Sequence, residues 1–117
     1  MQRRVALARA FATKPRLLLL DEPFVSLDAP VGNNLRSMLL QLWDKEPTTI
    51  LFVTHDLREA IFLSDRIIFL SNAPAKIILD IKVDIARPRD IEDEDIEDFR
   101  KHLLERNKSL LTGIIGN

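Results

Sequence analysis

The heptapeptide Leu17-Leu18-Leu19-Leu20-Asp21-Glu22-Pro23 constrains this chain more than any other stretch. Four leucines between Pro15 and an acidic pair predict a short strand buried on both faces, as in the middle of a parallel sheet. Pro23 has no amide proton to donate, so the ladder stops there. In open α/β sheets ligands gather outside the carboxyl ends of the strands, which is where Asp21 and Glu22 fall. Two adjacent carboxylates can divide a task, one holding a metal ion and the other handling a proton. Taken alone, the pair can equally be two solvated loop acids.

The flanking segments alternate helix and strand. Met1 to Thr13 is rich in helix formers, with Val5, Ala8 and Ala12 expected to share the apolar face and Arg3, Arg4 and Arg9 a solvated one. No capping residue precedes this helix. Pro30 opens a second helix, in which Val31, Leu35, Met38, Leu39 and Leu42 recur at helical spacing until Lys45-Glu46-Pro47. Thr48 to Thr54 is a second β-branched, apolar strand. His55 follows at its carboxyl end, on the same rim as Asp21 and Glu22 if the two strands are parallel. Asp56-Leu57-Arg58-Glu59 has the spacing of a capping box for a helix through Leu63. Arg66 to Ser71 and Lys76 to Asp84 read as strands joined by the turn Asn72-Ala73-Pro74-Ala75. In the latter, Ile77, Leu79, Ile81 and Val83 form the drier face. After the irregular segment 86–94, in which Arg87 and Arg89 read as solvated, a last helix from about Asp95 carries Ile96, Phe99, Leu103 and Leu110 on one stripe. The order predicts βαβ units, with a parallel sheet and an antiparallel hairpin at its edge.

Composition limits the chemistry. The chain has 117 residues, 46% of them hydrophobic and 30% charged, which suits a globular domain of modest size. A net charge of −1 without a basic run argues against a nucleic-acid surface. There is no cysteine, so thiolate metal sites and disulfides are excluded. No apolar run approaches the ~20 residues of a membrane span. Residues 1–16 lack acids, as targeting peptides do, but Arg9 interrupts the apolar centre such a peptide needs, and an ordinary helix describes them better. The three glycines, Gly32, Gly113 and Gly116, cannot make a Gly-rich phosphate loop.

The succession QRRVALARA, LLLLDEP, SLDA and ILFVTHD closely resembles the second half of an ATP-binding cassette (ABC) ATPase, a P-loop NTPase fold. The match is strong over residues 1 to about 71. The LSNAPAKI turn and its hairpin look like the ATP-binding subunits of the nitrate/sulfonate/taurine class of bacterial importers. The resemblance implies an α/β domain part, with parallel strands flanked by helices, over residues 1–85. A C-terminal extension with an amphipathic helix follows over 86–117. It makes LLLLDEP the Walker B motif, with Asp21 orienting Mg²⁺, usually through water, and Glu22 polarising the water that attacks the γ-phosphate. His55 matches the switch histidine that contacts the γ-phosphate. Ser26-Leu27-Asp28 matches the D-loop, which places Asp28 near nucleotide across a dimer. Outside this context His55 reads as a structural histidine and Asp28 as a turn or capping acid.

The implied function is ATP hydrolysis, with ATP and Mg as cofactors, powering import of a small solute. The implied partners are a second ATP-binding subunit and transmembrane permease subunits. The implied location is peripheral, on the cytoplasmic face of the bacterial inner membrane. The sequence departs from the family in having no Walker A loop, no Q-loop segment, no adenine-stacking aromatic and no LSGG. Relatives often read LSGGMQRRVALARA here, so Met1 would fall inside the signature and the chain would be the C-terminal half. Two other readings stay open: a truncated, non-catalytic remnant, and a fragment of an ABC ATPase outside transport. With half a sheet, Leu17–Leu20 and Ile50–Val53 would lack neighbours, and the isolated chain would be marginal and prone to aggregate.

Overall fold

Leu7 and Phe11, one helical turn apart, set how the first helix packs. The computed structural model describes residues 2–72 and 74–111, the side chains of 110 and 111 excepted. Met1 and Ala73, the Leu110 side chain, Gly113 and Gly116 lie outside the described residues. Helix α1 spans Gln2–Ala12 and buries Leu7 and Phe11. This corrects the expected Val5–Ala8–Ala12 face: Val5 is 49% exposed, and both alanines are exposed too. The reason is area, since a leucine and a phenylalanine at i and i+4 withdraw far more apolar surface than two alanines and a valine. The helix packs on α2, Ala29–Lys45. It ends where Lys14 turns left-handed, φ 51°, and returns its amide to the Phe11 carbonyl at 3.0 Å.

Helix α2 begins at Ala29, one residue before the Pro30 at which the sequence opens it. Asp28 is its N-cap, accepting from the Val31 amide at 3.0 Å, and Pro30 sits in the first turn. Gly32, Leu35 and Leu39 are buried on its inner face. Trp43 donates its indole N–H to the Thr48 carbonyl at 3.0 Å, and the Thr48 hydroxyl reaches the Pro15 carbonyl at 2.5 Å. These bonds tie the end of α2 to the residues preceding both strands.

Strands β1, Leu17–Asp21, and β2, Thr49–Val53, are parallel, with Leu17 opposite Thr49 and Asp21 opposite Val53. The expectation that β1 is buried on both faces does not hold. Leu18, Leu20, Ile50 and Phe52 are half-buried, while Leu17, Leu19, Leu51 and Val53 are 55, 64, 52 and 44% exposed. A two-stranded sheet with one crossover helix has a layer for only one of its faces.

The chain divides after Thr54 into two compact units. In the second, α3 spans Leu57–Leu63 and is capped by Asp56, which accepts from the Glu59 amide at 3.2 Å. Strands β3, Arg66–Leu70, and β4, Ile77–Lys82, pair antiparallel as a separate two-stranded sheet. The expected hairpin forms, and among the described residues it is a sheet of its own rather than the edge of a larger one. A register shift at Phe69/Leu70 leaves Ile77 at 65% exposure, outside the dry face of Phe69, Ile67 and Val83.

Helix α4 spans Glu94–Arg106 and packs on α3 with Ile96 and Leu103 buried. The single expected helix breaks at Asn107, the C-cap of α4, and a short α5 follows over Lys108–Leu111. The Asn107 side-chain amide donates to the Leu103 carbonyl at 3.0 Å, which competes with helix continuation.

Candidate active site

The site is built where β1 and β2 end together. Asp21 is the last residue of β1, paired with Val53, and its side chain is exposed. Glu22 leaves the strand in the left-handed region, φ 44°, yet still donates its amide to the Val53 carbonyl at 2.8 Å. Its side chain is half-buried. Left-handed φ is uncommon for residues other than glycine, and such conformations gather at functional loops. Ser26, φ 68°, is a second one four residues on. The loop from Glu22 to Asp28 is therefore bent twice against ordinary preference.

Three contacts brace that loop. Phe24 is buried, its ring 5.9 Å from that of Phe52 on β2 and tilted by 49°. The Arg36 guanidinium lies 6.0 Å from the centre of the Phe24 ring. Arg3 of α1 donates to the Pro23 carbonyl. Arg3 is exposed, as the solvated-face reading expects, and makes this contact from there. Arg4 and Arg9 remain exposed. No local pattern in the sequence marks Arg3, because its partner lies twenty residues away; Phe24 could have been suspected as the first apolar residue after the acidic pair.

Asp28 caps α2 as described, so its carboxylate already serves one of the roles that the sequence leaves open. His55 is exposed and belongs to the second unit. In the sequence it follows Val53, the last residue of β2, by two positions. The structure thus brings Asp21, Glu22 and the Asp28 cap onto one loop; His55 is described within its own unit.

Among the described residues, no group of three or more His, Cys, Asp or Glu side chains could enclose a metal ion. The donor set suits Mg²⁺ all the same. That ion commonly takes one or two carboxylates, keeps several waters and completes its shell with phosphate oxygens, and Asp21 offers an exposed hard oxygen donor at the strand end. A triphosphate is another matter: the described residues hold no backbone cradle for it. The only glycine among them, Gly32, is buried inside α2.

Arg87 and Arg89 are not the solvated side chains expected. Arg87 donates to the Leu63 carbonyl at 2.7 Å and to Asp65 at 3.0 Å. Arg89 donates to the carbonyls of Ile61 at 2.8 Å and Ser64 at 2.7 Å. Burial of the Arg89 guanidinium, and then the nearby Arg87 charge, lower its pKa. No helix among the described residues is long and apolar enough to cross a membrane.

Comparison with known proteins bears on the same residues. A family model described as ABC transporter matches residues 1–25. An ABC transporter ATP-binding protein of Methanocaldococcus jannaschii is 45% identical over 104 residues, covering 89% of this chain and 39% of that one. An aliphatic sulfonates import ATP-binding protein of Bacillus cereus is 44% identical over 106 residues, 91% of this chain and 42% of that one. A bicarbonate transport ATP-binding protein of Synechococcus elongatus is 52% identical over 90 residues, 76% of this chain and 14% of that one. The chain thus spans less than half the length of these relatives. The resemblance read from QRRVALARA, LLLLDEP and ILFVTHD holds, and the α/β class with it: the chain belongs to the family of ABC transporter ATP-binding proteins.

Proposed function

We propose that this chain supplies the Walker B, D-loop and switch-histidine part of a subunit that hydrolyses ATP to power import of a small solute. The observation that carries this reading is the doubly bent loop after the paired ends of β1 and β2. It places two carboxylates of different exposure at adjacent positions. Asp21 would hold Mg²⁺ through water, and the ion would neutralise charge on the phosphates. Glu22, half-buried and fixed at its backbone by Val53, would accept a proton from the attacking water. Asp28 would hold the loop by capping α2 and lie near nucleotide across a dimer of ATP-binding subunits. His55 would contact the γ-phosphate. The phosphate cradle would come from polypeptide beyond the described residues.

Relatives named for aliphatic sulfonates and for bicarbonate, together with the LSNAPAKI turn, favour a small solute such as a sulfonate, taurine or nitrate. Permease subunits would be the further partners, with the subunit peripheral on the cytoplasmic face of the membrane. Residues 1–85 would form the ATPase part and 86–117 its extension. The test is uptake of labelled alkanesulfonate, taurine, nitrate and bicarbonate by cells lacking the gene. Loss of uptake of one, restored by the intact gene but not by Asp21→Asn, supports the reading. Unchanged uptake of all four contradicts it.

A further inference from the structure

Helix α3 begins two residues after His55 and is only seven residues long. A helix so short has little stability of its own and depends on what holds its ends. Its last carbonyls lack partners in a following turn. They find them in the segment after β4. Arg89 reaches Ile61 and Ser64 at 2.8 and 2.7 Å, with Phe62 at 3.4 Å, and Arg87 takes Leu63 at 2.7 Å. Two guanidiniums thus meet four successive carbonyls, and their charge also suits the negative end of the helix dipole. Arg89 is itself fastened by its Nε to the Ile85 carbonyl at 3.0 Å.

The head of α3 is held from the same side of the sequence. Arg58, in its first turn, donates to the Ile91 carbonyl at 3.3 Å and pairs with Glu97 of α4. Glu97 also takes Arg100 at 3.2 Å. Between these ends Ile61 and Ile96 are both fully buried. The Asp56 cap, which begins α3, is the residue next to His55.

We propose that residues 87–97 are the positioning element for His55: Arg87 and Arg89 grip the tail of α3 and Glu97 its head, and together they fix where the histidine stands. The functional weight of this rests on the reading of His55 as the γ-phosphate contact. Loosening the bracket releases α3 first and the histidine with it.

The test uses the full chain and two variants, Arg89→Gln and Arg87→Gln, and needs no nucleotide. Deuterium exchange at the ring C2–H is read by mass spectrometry for the chain's two histidines, His55 and His102. His102 serves as the reference, with its Nδ1 2.8 Å from the Asp98 carbonyl on α4. The proposal expects amides of α3 to exchange about tenfold faster, what one hydrogen bond to a charged donor is worth. It also expects the His55 ring rate to change while that of His102 stays put. A helix cap with no reach to the histidine would speed the amides alone. An unchanged His55 ring rate in the folded variants overturns the proposal. If Arg89→Gln loses its far-ultraviolet helix signal, Arg87→Gln decides. The switch reading is tested apart from this, by ATP turnover of the subunit with His55→Ala. Undiminished turnover there would remove the switch role and leave the positioning result standing.

Discussion

Glu22 donates its backbone N–H to the Val53 carbonyl across 2.8 Å, so the residue after Asp21 stays tied to β2 even as its φ of 44° turns it out of the strand. The ladder orders the main chain on which both carboxylates stand. Relieving the left-handed residue with Glu22→Gly should leave stability unchanged or raise it by up to about 1 kcal/mol. Chemical denaturation reads this directly. A loss of several kcal/mol would show that the side chain, and not its position, holds the loop.

The Arg89 bonds are expected to weigh heavily in the second unit. Arg89→Met removes a charged donor from the carbonyls of Ile61 and Ser64 and should cost about 2–3 kcal/mol. The change in urea midpoint at constant slope gives the value. A cost within a few tenths would mean that water replaces the guanidinium freely.

The cap of α2 offers a smaller and cleaner measurement. Asp28→Ala removes the acceptor of the Val31 amide and should cost about 1 kcal/mol, whereas Asp28→Asn should cost much less. Equal losses for both would point to the charge of Asp28 rather than its capping geometry.

On the hairpin, Arg66 pairs with Asp80 through two hydrogen bonds. That hydrogen bonding holds the Asp80 carboxyl below the ordinary carboxylate value. A lowered folded-state pKa means that the pair's contribution is present above about pH 4 and lost as pH falls through the lowered value. The pair is exposed, so the effect on stability is small. Carboxyl titration by NMR should show Asp80 moving up toward the ordinary value in Arg66→Gln. No movement would mean that the pair does not persist in solution.

The uncovered sheet face carries an expectation of its own. Leu17, Leu19, Leu51 and Val53 present adjacent apolar side chains on two strands, each of which is an edge of the two-stranded sheet. The double variant Leu19→Thr/Leu51→Thr should stay monomeric at concentrations where the parent chain self-associates, with the far-ultraviolet spectrum unchanged. Equal association of both by sedimentation would place the sticky surface elsewhere.

What the sequence made legible was local. Pro30 in the first turn of α2, Asp56 at the head of α3 and the run of leucines ending at Pro23 each carry their signal within a few residues, and each appears where expected. What it hid depends on partners far along the chain. Arg3 reaches Pro23, Arg89 reaches Ile61, and nothing near either arginine announces it. One face of β1 stays exposed because four leucines state what a strand can bury, not whether a layer is there to cover it. The break at Asn107 was missed because the apolar stripe continues in register through Leu110, while a side-chain amide ends the helix.

In the function proposed above, Glu22 accepts the proton of the water that attacks ATP. The most direct measurement is MgATP binding and hydrolysis by the ATP-binding subunit carrying Glu22→Gln, compared with the unaltered protein. MgATP should still bind and turnover should fall by ~100-fold or more, the range expected for losing a general base. Turnover at the unaltered rate, with binding intact, would contradict it.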